Sequence, residues 1–306
     1  MGPVLLDDRE VREVRRAFAA LLPLGEGLEP RLRAVVADVL EHPGSLARAQ
    51  LAYGLGARRG MAAERALKLA IAVEYFHSAS LLFDDMPSMD DATERRGRPC
   101  PHTVHGEAAA TLGALGLITR AYGLLWEAIG EAPAPRRAAA AAMVGECLGV
   151  AGILDGQSRD VHFRREGADP EAVARVAAAK TVPLVRLSMV LPALVAGEDE
   201  GTLRRLERLA ASWGLAYQVL DDFKDSLMGF EETGKTTGRD DGLGRPNVPA
   251  LSGTGGALAR LRGLLVQSRR IVDALGESWR PLASLQEFLE GEAREVEERL
   301  AGKAAA

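Results

Sequence analysis

The segment LLFDDMPSMDDATERRGRP, residues 81–99, keeps its acids and bases apart: Asp84, Asp85, Asp90 and Asp91 come first, and Arg95 and Arg96 follow. A second acidic group, Asp221, Asp222 and Asp225, stands in WGLAYQVLDDFKDSL. Pro87 disfavours helical geometry at Met86, so the apolar run LKLAIAVEYFHSASLLFDD should stop there and send Asp90 in a new direction. The second group reads as unbroken helix, in which Asp221 and Asp225 share a face and Gln218 lies one turn before Asp222. Like charges at that spacing destabilise a bare helix, so a positive partner is required. Carboxylates without cysteine or paired histidine suit a hard cation. Magnesium takes one or two carboxylates per ion, keeps water, and completes its shell with substrate phosphate oxygens. Asp91 reads as a neighbour that adds negative field, Lys224 as a solvated residue on another helix face, and His102 and His105 as structural residues of a polar loop.

The elements that must position these groups are helical. Alanine, leucine, arginine and glutamate dominate, β-branched alternation is rare, and no stretch reads as a convincing strand. The periodicity predicts helices near residues 8–22, 28–41, 45–57, 62–85, 107–129, 135–154, 170–196, 201–228, 255–276 and 279–301. Two polar segments interrupt them: DDATERRGRPCPHTVHG and the long 228–256 stretch, MGFEETGKTTGRDDGLGRPNVPALSGTGG. No domain boundary is visible, so residues 1–306 are expected to form a single all-α domain. Two acidic helix faces meeting across a bundle core could hold several ions.

Bulk properties narrow the partners. A formal net charge of -5 gives no reason to expect nucleic-acid binding. Cys100 and Cys147 form neither a disulfide framework nor a zinc pattern, which suits a reducing cytoplasm. The N-terminus has no long apolar core, and MVLPALVAG is too short to span a bilayer, so no stable membrane insertion is expected.

In order along the chain, DDMPSMDD resembles the first aspartate-rich motif of the trans-prenyl diphosphate synthases, the polyprenyl synthetase family, in its longer DDxxxxD form. RRGRPCPH resembles the RRGxPxxH stretch that follows it, GQSRD the GQxxD element, KTVPL the KT element, DDFKD the second motif DDxxD, and GKTTGRDDGLGRPN the GKTxGKD loop. The resemblance runs over about residues 40–250. It implies an all-α bundle around a deep central cavity, a homodimer, and magnesium-dependent ionisation of an allylic diphosphate, with three Mg2+ ions. By resemblance, Asp84, Asp85, Asp90, Asp221, Asp222 and Asp225 hold the metal. Arg95, Lys180 and Lys235 grip the allylic diphosphate, and Thr181 and Gln218 lie near the cationic carbon. Such chemistry fits the residues, since cations stabilise the charge that grows on the leaving diphosphate.

The growing tail is expected to run down the helix that ends at Asp84. Ser80 and Ala79 stand about 6–7.5 Å below the metals at ~1.5 Å per residue. Both are small, as in the geranylgeranyl-type enzymes that this stretch resembles. Tyr75 and Phe76, deeper still, are the alternative floor, which suits a C15–C20 product. Close helix packing is the other reason for small residues there.

The pattern breaks at PGSLARA, residues 43–49, where the family has GGKRxRP. Ser45 stands for the lysine, Leu46 for the first arginine and Ala49 for the proline. Arg48 survives, and with His77 and Arg96 it would bind isopentenyl diphosphate. Two lost charge-assisted hydrogen bonds are worth about 3–6 kcal/mol, on the order of a hundredfold to ten-thousandfold in affinity. Arg58 and Arg59 lie nearby as compensating cations. Three activities therefore stay open: an elongating prenyltransferase, a terpene-synthase-like lyase or cyclase acting on one prenyl diphosphate, and a non-catalytic partner subunit.

Overall fold

The computed structural model describes residues 5–164, 169–227 and 247–305. These are mainly α-helical. In order come α1 (Asp8–Ala20), α2 (Pro30–Glu41), α3 (Ala47–Arg58), α4 (Ala63–Asp84), a hairpin of β1 (Glu94–Arg95) and β2 (Arg98–Pro99), and the single turn α5 (Pro101–His105). There follow α6 (Glu107–Gly130), α7 (Ala134–Leu148), a π-turn (Val150–Leu154), α8 (Asp155–Val161) and α9 (Pro170–Ala196). The last elements are α10 (Glu200–Leu227), α11 (Val248–Leu275), a 3-10 turn (Glu277–Trp279) and α12 (Arg280–Ala305).

α4 is apolar around most of its circumference, which marks a central helix. It packs chiefly on α6 and α3, while α9 packs on α10, α3 and α8, and α10 on α11. One cluster of buried side chains, from Val14 of α1 to Val296 of α12, fills the space between them. A buried bond from Trp213 Nε1 to Gln286 Oε1, 2.7 Å, ties α10 to α12.

The expected elements recur with four differences. The helix expected to 154 ends at Leu148, because Gly152 is non-helical (φ -100°, ψ -124°) and the chain turns into the separate α8. α11 begins at Val248 rather than 255. Asn247 caps it by accepting from Ala250 N (2.9 Å), and a kink at Gly253 absorbs the glycines that suggested a loop. The polar 91–106 segment contains α5 and a paired hairpin, Glu94 opposite Pro99 and Arg95 opposite Arg98. Lys224, expected in solvent, pairs with Glu292 of α12.

Four helical stretches are long and apolar enough to cross a membrane by length and composition alone. The windows in Ala63–Asp84 and Glu171–Ala196 are 61% and 56% buried, so core packing accounts for their apolarity. Those in Glu107–Gly130 and Ala134–Val161 are 39% and 33% buried and leave apolar surface outside, including Leu112, Leu115 and Trp126 on α6.

Candidate active site

α4 delivers the first acid pair at its C-terminus, where the helix dipole disfavours negative charge. The hairpin supplies the compensation. Arg96 and Gly97 at its tip both have positive φ (55° and 71°), the backbone of a tight two-residue turn, which brings Arg95 back beside α4. Arg95 Nε donates to both oxygens of Asp85 at 2.8 and 2.9 Å, and Nη2 reaches Oδ1 at 2.6 Å. Asp85 is 2% exposed, so the carboxylate of this bidentate pair is buried while Arg95 stays partly accessible.

Beyond Pro87 the chain folds over the helix end. Asp90 N donates to Asp84 O (3.0 Å) and Ala92 N to Asp85 O (3.1 Å). Asp84 is thereby surrounded, yet the residue stays half-buried rather than fully buried. Burial, with the fields of Asp90 and Asp160, pushes its pKa up to about 6, against the pull of Lys180 and Arg95.

α8 and α9 approach closely at Gly156, where a Cβ would stand 2.3 Å from Ala179 C and 2.5 Å from Lys180 N. No other side chain fits between these backbones. The approach sets two α8 side chains around the acidic end of α4. Gln157 Nε2 donates to Asp84 Oδ1 (2.7 Å), and Asp160 Oδ2 accepts from Lys180 Nζ (2.8 Å). Burial acts to lower the Lys180 pKa, but the carboxylates of Asp84, Asp160 and Asp90 outweigh it and raise the group, which stays cationic.

From Lys180 the polar run continues to the second acid group. Its neighbour Thr181 donates through Oγ1 to Gln218 Oε1 (3.1 Å), and Gln218 Nε2 donates to Asp222 Oδ1 (2.9 Å). Val248 N, opening α11, donates to Asp222 Oδ2 (2.8 Å). Asp84, Gln157, Asp160, Lys180, Thr181, Gln218 and Asp222 thus link α4, α8, α9 and α10 in one contiguous chain of contacts and fields. The two DD pairs divide alike. The second member of each, Asp85 or Asp222, is buried with both oxygens accepting from protein donors. Asp84, Asp90, Asp221 and Asp225 keep part of their surface. Among the described residues no three acidic, histidine or cysteine side chains converge tightly enough to hold an ion alone.

Arg48, His77 and Arg96 also come together, around a residue the sequence reading passed over. Glu74, 3% exposed, accepts from Ala49 N (2.8 Å) and so anchors the start of α3. Burial raises its pKa, opposed by the nearby Arg48 and Arg96. Burial holds His77 well below its ordinary value, and the fields of Arg48, Arg96 and Arg95 push the same way, so it is neutral. Arg48 Nε is buried without a hydrogen-bond partner, an unsatisfied donor beside these groups. The Arg96 guanidinium lies against Gly44, next to Ser45, so closely that its Nη1 is 2.1 Å from where a Cβ would stand. Arg15 of α1 donates to Gly44 O through Nη2 (3.3 Å). Arg58 instead pairs with Glu10 and Arg59 stacks on Trp279, so neither compensating cation proposed from sequence turns to this cluster.

On α4, Ala79 is fully buried and Ser80 partly accessible, its hydroxyl bonded to His77 O (2.9 Å). Tyr75 turns to α1, its hydroxyl donating to Phe18 O (2.6 Å), while Phe76 meets Tyr122 of α6 edge-on at 4.9 Å. Lys235 lies outside the described residues, as do residues 228–246 around it. Gln157 and Asp160 belong to the GQSRD motif, whose three-residue spacing puts both on one side of a helix; that periodicity was the available signal. Glu74 carried one too, as a lone acid in an apolar run.

The sequence model of the polyprenyl synthetase family matches residues 29–266. A geranylgeranyl diphosphate synthase from Pantoea ananas is 33% identical over 82% of this chain and 81% of its own length. A farnesyl diphosphate synthase from Escherichia coli is 35% identical over 74% of this chain and 77% of its own. Among solved structures, a geranyltransferase from Helicobacter pylori, complexed with magnesium and isoprenyl diphosphate, superposes with a TM-score of 0.77 at 24% identity, covering 96% of this chain and 99% of that one.

Proposed function

The chain belongs to the polyprenyl synthetase family of prenyltransferases, and from that premise we propose that it condenses isopentenyl diphosphate with an allylic prenyl diphosphate to give a C15–C20 prenyl diphosphate, geranylgeranyl diphosphate favoured. The observation that carries this reading is the polar run from Asp84 to Asp222, flanked by the Arg48, His77 and Arg96 cluster. It supplies two separate places for diphosphate.

The oxygen-only donor set fits Mg2+, with Asp84, Asp90, Asp221 and Asp225 as the groups that would hold it. When bound, the metal neutralises charge growing on the leaving diphosphate. Arg95 and Lys180 are each held on a carboxylate, Asp85 and Asp160. A diphosphate competes for the same N–H donors, so the cations are already oriented before substrate arrives. The Thr181 hydroxyl and the Gln218 amide oxygen offer lone pairs to a positive allylic carbon and keep water from it.

Elongation needs the second diphosphate. The Arg96 guanidinium lies against Gly44 and Arg15 donates to its carbonyl, one residue before Ser45, where the family pattern has lysine, which supports elongation over ionisation of a single substrate. We further propose a homodimer in which the outward apolar face of α6, with Leu112, Leu115 and Trp126, packs on a second copy.

The test incubates the protein and Mg2+ with isopentenyl diphosphate plus dimethylallyl, geranyl or farnesyl diphosphate, and with each allylic diphosphate or geranylgeranyl diphosphate alone. Longer diphosphates in the mixed reactions only are expected. Hydrocarbon or alcohol from one substrate would replace this reading with a lyase. Binding without turnover in any tube would replace it with a partner subunit. Sedimentation velocity reads the dimer, and a monomer at micromolar concentration would remove that part.

A further inference from the structure

At the end of α10 and α11 remote from the aspartates, the two helices enclose a groove of about 490 Å3. Arg208 lies about 20 Å from Asp221 along α10 at 1.5 Å per residue. Arg205, Arg208 and Arg270 line the groove with Gln267, Val266 and Ile271, and no carboxylate is among its lining residues. Arg205 and Arg208 are three apart on α10 and therefore neighbours on one face. All three arginines are exposed. The field of Asp199 reaches Arg205, and its oxygens are occupied at the start of α10: Oδ1 accepts from Gly201 N (2.7 Å) and Thr202 N (3.0 Å), and Oδ2 from Thr202 Oγ1 (2.7 Å).

The neighbouring groove, which shares Val266 and Arg270 with the first, provides an internal contrast. It holds arginines too, but Arg262 pairs with Glu297 (2.7 Å) and Arg269 with Glu290 (2.6 Å). Arg262 and Arg269 of α11 are thus held by carboxylates, whereas Arg270, which lines both grooves, is in none of the ion pairs among the described residues, in a chain whose net charge is -5. Three guanidiniums around one groove repel one another, and their planar forks match phosphate oxygens. Val266, 53% exposed, and the exposed Ala274 put hydrocarbon surface beside that charge.

We propose that this groove is a second anion site, separate from the prenyl-transfer site, for a phosphate-bearing amphiphile: its phosphate or diphosphate on Arg205, Arg208 and Arg270, its hydrocarbon along Val266 and Ala274. The same chemistry is offered by a soluble prenyl diphosphate and by the headgroup of an anionic lipid.

Calorimetric titration of the full chain with inorganic pyrophosphate, in EDTA at constant ionic strength, tests the soluble source. Co-sedimentation with phosphatidylcholine vesicles, with and without phosphatidylglycerol, tests the lipid source. The variant Arg205→Gln/Arg208→Gln/Arg270→Gln should bind at least about tenfold more weakly in one of these arms, equivalent to about 1.4 kcal/mol. Its helical signal and its prenyl-transfer rate in Mg2+ should match wild type. Arg48→Gln/Arg96→Gln, which removes cations at the transfer site, should keep this binding. The control Arg204→Gln/Arg262→Gln/Arg299→Gln carries the same charge change at carboxylate-paired arginines and should also bind as wild type. Loss confined to pyrophosphate assigns a soluble ligand, and loss confined to phosphatidylglycerol vesicles assigns a headgroup. Indistinguishable behaviour of the groove variant and wild type in both arms, or equal loss in the control, would overturn the proposal.

Discussion

Gly156→Ala is the substitution whose consequence follows most directly from the packing. The added methyl would stand 2.3 Å from Ala179 C, 2.4 Å from Ala179 O and 2.5 Å from Lys180 N, where ordinary contact begins at 3.4 Å. The obstacles are backbone atoms inside α9, which cannot rotate away, so α8 and α9 must part by about 1 Å to restore ordinary contact. α8 carries Gln157, 2.7 Å from Asp84, and Asp160, 2.8 Å from Lys180. An added ångström between α8 and α9 takes Asp160 and Lys180 beyond hydrogen-bonding reach and shifts Gln157 relative to Asp84. Lys180 then loses the partner that orients it, and overpacking by itself costs about 1–3 kcal/mol. A misplacement of about 1 Å in a positioned group costs on the order of a hundredfold in rate. The expected result is a kcat lower by about that factor, with a reduced Tm, measured by steady-state prenyl transfer and thermal unfolding. Gly145→Ala is the matched control: it lies on α7 with nothing within 4 Å of a Cβ, and should be neutral or stabilising by up to about 1 kcal/mol. Wild-type kcat and Tm in Gly156→Ala would refute the reasoning, because the two helices could then tolerate a side chain between them.

Asp84→Asn and Asp221→Asn should each lower turnover at least about a thousandfold, several kcal/mol of lost charge stabilisation, while circular dichroism stays helical; wild-type rates in either would remove it from the metal set. Ala79→Phe, in a position with no exposed surface, should shorten the product distribution read by chromatography of the dephosphorylated prenols; an unchanged distribution in a folded variant would mean the tail does not pass there. Arg96→Gln should raise KM for isopentenyl diphosphate by about tenfold to a hundredfold, one charge-assisted hydrogen bond, with little change in KM for the allylic substrate. In the same assay Ser45→Lys should add little, since Arg96 and Arg15 already stand beside Gly44; a large fall in KM would show that position to be vacant of cationic help.

The long helices were legible because helical periodicity is a local property: α4, α6, α9 and α10 lie within a few residues of their expected bounds. The aspartates and the breaks after them were legible as well, since Pro87 acts on its immediate neighbours. The start of α11 was less so, because Asn247 and Pro249 signalled a helix while three glycines within the following seven residues argued for a loop.

What the sequence determined by itself is therefore the helical class, the chemistry of its carboxylates and the order of its motifs, all set by residue type and short-range spacing. The tertiary structure alone decided which acid of each pair is buried. Asp85 is taken by Arg95 from a hairpin and Asp222 by the first amide of α11, and adjacent identical side chains differ only in what packs against them. It also decided that Arg96 comes to rest on Gly44, a juxtaposition of residues 52 positions apart that depends on two separate turns meeting in space.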